Sequence, residues 1–359
     1  MVKGGSMRRD PLKMVEEDFG RLVLNDPKVR NAYLMVHAPS ANIHLNIAKG
    51  STGDYPATPD QPNYMASVGK IFTATVIALL VEKQKLSFDD RIVDYLDKDL
   101  LDSLHVYEGK DYTDQITIRH LLKQTSGLFD NFWPLLEKLL EDETFHLSPR
   151  EAVIWGKEHL QSTAPPGKKV AYTDTNYHLL GLMAQSITGK QFHELLHDMV
   201  FQPLQMQHSY MLQFSEPLVA NAVPTAVFSM NGKILNGLKN YGSLDFSGGG
   251  VVAPFEDLLK FMQALTTGTL ISSDTLELMI RDSDKLYPGM DYGYGIWKLR
   301  PIPLLLPKSY YCWGCVGATG AFMFYHPALD TYLIGNFNDE SYKMKAVRFM
   351  MQVIKRIMK

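Results

Sequence analysis

Apolar residues recur at helical spacing near the start of the chain. Leu12, Val15, Phe19, Leu22 and Val23 form one stripe and predict an amphipathic helix over residues 10–25. Two short apolar runs follow, over residues 32–36 and 43–47, with Pro39, Ser40, Ala41 and Asn42 between them, which predicts an antiparallel hairpin. Residues 71–81 are apolar on nearly every side, the pattern of a buried core helix. From about residue 87 to 230 the pattern breaks into short helices and loops. Residues 116–122 read as one helix and residues 178–188 as another, with Gly189 just past its end, and Pro165, Pro166 and Gly167 punctuate a turn. After Gly248, Gly249 and Gly250 the character changes. Pro254 leads into a helix over residues 255–265, strand-like runs cover 292–299, 321–325 and 332–337, and a Met- and Val-rich helix covers 341–359. The order is a little β, a large helical stretch, then β and α again. It predicts an α/β domain built from both chain ends, residues 1–85 and 240–359, with a mostly helical domain of residues 86–239 inserted and a site at their interface.

Composition narrows the function class. The chain has 359 residues, 45% hydrophobic and 21% charged, with a formal net charge of -3, an ordinary globular balance. No long basic block supports nucleic-acid binding. No apolar stretch reaches the ~18 residues that a membrane helix needs. The first seven residues lack the apolar core of a signal peptide, so the chain as written reads as cytoplasmic. The Gly4-Gly5-Ser6-Met7 stretch also fits a replaced leader, in which case the location is periplasmic or secreted. Cys312 and Cys315 are spaced C-x-x-C, but no second pair completes a zinc site and no redox context surrounds them. His120, His178 and His326 are scattered without metal-ligand spacing, so no metal or other cofactor is expected.

The chemistry concentrates at Ser67-Val68-Gly69-Lys70, at the mouth of the core helix. Three-residue spacing on a helix puts a hydroxyl and an amine on one face, in reach of each other. A serine hydroxyl needs an adjacent base to act as a nucleophile, and a lysine can serve if burial lowers its pKa. Four further motifs follow in order: Leu121-Leu122-Lys123-Gln124-Thr125-Ser126-Gly127-Leu128; Pro166-Gly167 through Tyr172-Thr173-Asp174-Thr175-Asn176-Tyr177; Ser247-Gly248-Gly249-Gly250-Val251-Val252; and Gly317-Ala318-Thr319-Gly320-Ala321-Phe322. With Tyr64-Met65-Ala66 before Ser67, the set resembles the serine β-lactamase and penicillin-binding-protein-like hydrolases. The closest branch looks like the one holding class C β-lactamases, D-alanyl peptidases and carboxylesterases. The resemblance covers about residues 30–340. It implies a β-lactamase/transpeptidase-like fold with an antiparallel sheet flanked by helices, and a small-molecule ester or amide substrate. It says nothing of oligomeric state.

The resemblance also implies roles. Ser67 is the nucleophile to be acylated and Lys70 its partner. The family's Y-x-N stands here as Tyr172-Thr173-Asp174, so Tyr172 acts with Lys70 as general base and acid, a neighbouring ammonium favouring its anion. Asp174 departs from the usual Asn. An ionised carboxylate only accepts hydrogen bonds, so it stabilises Lys70 as the ammonium and weakens it as a base, unless Asn176 supplies the missing amide. The third motif, usually K-T-G or H-T-G, stands as Cys315-Val316-Gly317. A thiol and an isopropyl group offer a substrate carboxylate no charge-assisted hydrogen bond. The amide of Ala318 remains to form an oxyanion hole with that of Ser67.

These features point first to an esterase-like serine hydrolase. The alternatives are a β-lactamase or D-amino-acid peptidase, against which the third motif argues, and a non-catalytic relative that binds a ligand or partner, since two of three motifs are altered. Among Tyr292, Tyr294, Trp297 and Trp313, one or two are expected to wall the acyl pocket.

Overall fold

The computed structural model describes residues 10–303 and 306–358. Helix α1 (Pro11–Asn25) leads into strands β1 (Asn31–Ala38), β2 (Ile43–Thr52) and β3 (Tyr55–Pro56). Strands β4 (Asp284–Tyr287), β5 (Met290–Tyr292), β6 (Trp297–Leu299), β7 (Cys312–Val316), β8 (Phe322–His326) and β9 (Thr331–Asn336) come from the other end of the chain. They join in one antiparallel sheet in the order β4-β5-β6-β7-β8-β9-β1-β2-β3. The central strands β1 and β9 are buried almost throughout, as strands covered on both faces must be.

Helices supply both covers. On one face, Phe255 of α5 (Phe255–Thr266) meets Tyr33 edge-on and Thr266 hydrogen-bonds Tyr332. Side chains alternate along a strand, so Ala32, Leu34 and Val36 point to the other face. There α1 packs against the C-terminal helix α6 (Lys343–Ile357), with Phe19 against both Phe337 and Phe349 and Arg356 paired with Asp18.

The core helix α2 (Gly69–Glu82) is buried from Gly69 to Leu80. Phe72 stacks on Phe261 of α5 at 3.8 Å, while the other side of α2 meets α3 (Thr175–Thr188) and α4 (Tyr241–Gly249). Residues 86–239 supply short helices, including Ile118–Leu122, Phe132–Glu141 and Pro149–His159. A three-stranded ribbon ties them back, Val251–Ala253 pairing with both Asn63–Tyr64 and Tyr210–Met211.

The sequence reading placed most elements, with corrections. The run over 292–299 is two strands of a hairpin, because the chain turns through Gly293 and Gly295, the latter at φ +70°. The helix expected from 178 starts at Thr175, and the one expected from 116 starts at Ile118, where the Thr117 side chain caps it. α6 starts at Lys343 rather than 341, and Lys359 lies outside the described residues. α4 went unanticipated because its Gly and Ser content hides any period; it consists of two helical pieces across a kink at Phe246 (φ 38°, ψ -125°).

The start of α2 fits against the end of α4 with no spare room. A Cβ on Gly69 would stand 2.7 Å from Gly249 Cα. Helix propensity alone would make Gly69→Ala stabilising by about 1 kcal/mol; overpacking this contact reverses the sign. Chemical denaturation of Gly69→Ala is expected to give a loss of about 1–3 kcal/mol, whereas a gain would mean that the contact yields.

Candidate active site

Ser67 lies in a single 3-10 turn, Ala66–Val68, that runs into α2. The preceding residue, Ala66, has φ +49°, a left-handed conformation that costs about 1–2 kcal/mol for a residue with a Cβ. Such strain concentrates where a side chain must be presented at a fixed angle. Lys70, one turn on, is fully buried. Its Nζ donates to Ser67 Oγ at 3.2 Å, to the Gly248 carbonyl at 2.7 Å and to Asp174 Oδ1. An ammonium has three protons, and all three are engaged. The rings of Tyr172 and Tyr177 flank it, with centroids 5.2 and 5.3 Å from Nζ.

Asp174 stands at the N-cap position of α3 with its side chain turned to Lys70 rather than to the helix, so the second and first motifs meet at one nitrogen. The third contact depends on a missing side chain: a Cβ on Gly248 would stand 2.6 Å from Asp174 Oδ1 and 3.5 Å from Lys70 Nζ. Burial alone pulls the Lys70 ammonium toward its neutral form, but the Asp174 carboxylate outweighs it and the net direction is up. This contact set places the Asp174 carboxylate against the Lys70 ammonium. Asn176 does not reach Lys70; its amide donates to Gln124 and its carbonyl accepts from Ser126 at 2.6 Å.

Tyr172 is corrected in one respect. Its phenol is pushed well above the ordinary value, by burial first and then by the charge of Asp174, although contact with the Ser67 hydroxyl works the other way. The Asp174 carboxylate offsets the charge of the neighbouring Lys70 ammonium, and the phenol is held in its protonated form.

Cys315 is also corrected. It was expected to face the substrate, but it is fully buried and donates its thiol to the Ser67 backbone carbonyl at 3.1 Å. Burial pushes that thiol up to about 12, so it stays protonated. Val316, Gly317 and Ala318 do line the cavity over Ser67. Of the four aromatic residues singled out near this strand, Trp297 walls it; Tyr292 and Tyr294 are buried core residues, and Trp313 lies away from it.

This cavity encloses about 780 Å³. Ser67, Tyr172 and Asp174 share it with Asp130 and Asp245, two carboxylates that drew no notice in the sequence. Asp130 is pushed up to about 6 and Asp245 to about 7, in each case by burial first and then by repulsion from Asp174. Asp245 accepts from Tyr64 at 2.6 Å, and Tyr64 in turn meets Tyr241 at 2.8 Å. The available signal was proximity: Asp130 is two residues past the Leu121 motif, and Asp245 two before Ser247.

The histidines have structural partners. His120 closes a capping box with Thr117, His178 meets the Leu244 carbonyl and His326 the Ser309 carbonyl. Among the described residues no cluster is suited to a metal, and no helix is long and apolar enough to cross a membrane.

The fold and the Ser-x-x-Lys site together define a protein of the serine β-lactamase and penicillin-binding-protein class. The beta-lactamase family profile matches residues 25–349, and the chain belongs to that family of serine hydrolases. It is 29% identical over 153 residues to Protein flp of Staphylococcus aureus, a match covering 43% of this chain but only 28% of that protein. D-amino acid amidase from Ochrobactrum anthropi SV3, solved with L-phenylalanine, superposes with a TM-score of 0.78 at 20% identity, over 98% of this chain and all of that one. EstCE1, described as a hydrolase with promiscuous acyltransferase activity, superposes with a TM-score of 0.78 at 17% identity, over 97% of this chain and 99% of that one.

The buried carboxylates make stability depend on pH. Asp245 has a folded pKa raised above the unfolded value near 3.9, so its contribution is present in acid and lost as pH rises through about 7. Asp245→Asn keeps an acceptor for Tyr64 and removes the charge. Denaturant midpoints are expected to show Asp245→Asn gaining on the wild type from pH 5 to pH 8, by roughly 1–3 kcal/mol at the upper end. A difference that does not change with pH would contradict this assignment.

Proposed function

We propose that the protein is a serine acyl hydrolase of carboxyl esters, working through an acyl-enzyme on Ser67. The observation that carries this reading is the contact set of Lys70. One ammonium joins the Ser67 hydroxyl to the Asp174 carboxylate at a cavity lined in part by apolar Met290, Trp297, Leu299, Val316 and Val347. Cys315 in the third motif leaves no cation there for the substrate carboxylate that a penicillin or D-alanyl peptide carries.

The proton path follows from the resting charges. Lys70 first passes a proton to Asp174 and turns the freed lone pair to Ser67, and Ser67 Oγ then attacks the ester carbonyl as its own proton passes to Lys70. The amides of Ser67 and Ala318 receive the developing oxyanion; one such donor is worth about 3–4 kcal/mol. Neutral Tyr172 protonates the leaving alkoxide and becomes a phenolate. That phenolate takes a proton from water as the hydroxide adds to the acyl carbonyl. The acid leaves, and Ser67 recovers its proton from Lys70, which is resupplied by Asp174. Lys70 thus acts as a relay between Ser67 and Asp174.

Two measurements test the reading. A chromogenic short-chain ester is expected to be hydrolysed far faster than a chromogenic cephalosporin, with turnover abolished in Ser67→Ala and a serine-directed phosphonate adding one adduct to the intact mass. Cephalosporin turnover with negligible ester turnover would favour the β-lactamase alternative, and no adduct the non-catalytic one. In Asp174→Asn the relay loses its acceptor, and Lys70 itself must shed a proton before it can take one from Ser67. The acid limb of kcat/KM is therefore expected to move to higher pH than in the wild type; an unmoved limb would remove Asp174 from the proton path.

A further inference from the structure

We infer that the substrate of this cavity carries a protonated amine, received by the carboxylate of Asp130. The inference builds on the acyl-hydrolase reading above and names its substrate class. Three carboxylates, of Asp130, Asp174 and Asp245, face a cavity whose buried cation is Lys70. Lys70 is committed to Asp174. The other cation at the cavity, Lys343, stands at its exposed rim at the start of α6. With Lys70 and Asp174 offsetting each other, Asp130 is left facing the cavity with no buried cation beside it among the described residues.

Asp130 is placed to receive a cation. Its Oδ1 takes every hydrogen bond the carboxylate receives: from the Asp174 amide at 3.1 Å, the Thr173 hydroxyl at 3.3 Å and the Phe132 amide at 3.5 Å. These fix the carboxylate against the turn that carries Tyr172 and Asp174. Its Oδ2 has no hydrogen-bond partner among the described residues. That oxygen is accessible, and the place of Asp130 in the cavity wall turns it to the cavity. Asp245 differs, since it is tied to Tyr64 and sits over Gly249. Phe132 and Trp133, two and three residues further on, line the same cavity and offer aromatic surface, which favours a cation.

A second observation agrees independently. Cys315 turns its thiol to the Ser67 carbonyl, so the strand beside the nucleophile presents no cation. A substrate carboxylate entering here meets the Asp130 carboxylate, with Lys343 at the exposed rim as the cation left to offset it, and an ammonium meets the opposite sign beside the nucleophile. Charge of one sign lining a cleft selects its ligand in this way.

The amine can sit on the acyl side or on the alcohol side of the ester, and the two are separable. Phenylalanine ethyl ester and 2-(dimethylamino)ethyl 3-phenylpropanoate are compared at pH 7 with uncharged ethyl 3-phenylpropanoate. One of the amine-bearing esters is expected to exceed the neutral one by at least about tenfold in kcat/KM, chiefly through KM, and Asp130→Asn to collapse that ratio. Turnover of the neutral ester with no preference for either amine would overturn this inference and leave the hydrolase reading standing. A second measurement is independent of turnover. Calorimetric titration of Ser67→Ala is expected to show 2-phenylethylamine binding at least about tenfold tighter than 2-phenylethanol at pH 8, with the preference fading toward pH 5 while the amine stays charged. Equal binding of the two would overturn the inference whether or not Asp130→Asn folds and whether or not any ester is hydrolysed.

Discussion

The site depends on one buried ion pair, Lys70 with Asp174. A lone ammonium at the fully buried position of Lys70 would cost several kcal/mol to desolvate, and a partner in contact with it is what makes that position tenable. Three segments far apart in sequence meet at its nitrogen: the start of α2, the cap of α3 and the Gly248 carbonyl. Residues around this point serve that meeting. Gly248 leaves room for the Asp174 carboxylate, Gly69 and Gly249 let two helices close on each other, and the kink at Phe246 interrupts α4 two residues before the carbonyl that Lys70 needs.

The same pair fixes the resting charges of its neighbours. Its carboxylate, after burial, raises the Tyr172 phenol and keeps it protonated. By remaining a nearby carboxylate, it pushes Asp130 and Asp245 up toward neutrality. On the reading proposed above, the carboxylate at position 174 makes Lys70 a relay and Tyr172 an acid, and leaves the cavity short of positive charge. The substitution at Cys315 acts in the same direction. Where the family resemblance leads one to expect a substrate-facing cation, this chain has a thiol that donates to the Ser67 backbone carbonyl. These roles form one consistent proposal because they share one electrostatic origin.

Much of this was legible in the sequence where periodicity or spacing is local. The apolar run over 71–81 announced α2, the paired runs about Pro39 announced β1 and β2, and the Ser67 to Lys70 spacing announced a contact that the structure shows at 3.2 Å. What could not be read was long-range. Asp130 and Asp245 look like ordinary loop and helix acids until packing brings them into one cavity with Asp174. The direction of the Tyr172 shift required knowing that the phenol is buried near the Asp174 carboxylate. The orientation of Cys315 required the register of β7 against β8, which turns its side chain under Ser67. The helix at 241–249 was hidden by glycines whose purpose is close approach. Asn176 seemed able to replace the missing amide, but one residue of helical rotation beyond Thr175 points it to Gln124.

The central claim is that Asp174 keeps Lys70 an ammonium, and the most direct measurement is an NMR pH titration of the Lys70 side-chain nitrogen. In the wild-type protein the resonance is expected to report a charged ammonium throughout the neutral range and past the ordinary lysine value near 10.4, while Asp174→Asn brings its titration below that value. A neutral amine at pH 8 in the wild type would contradict the account, and the relay built on the ion pair would fall with it.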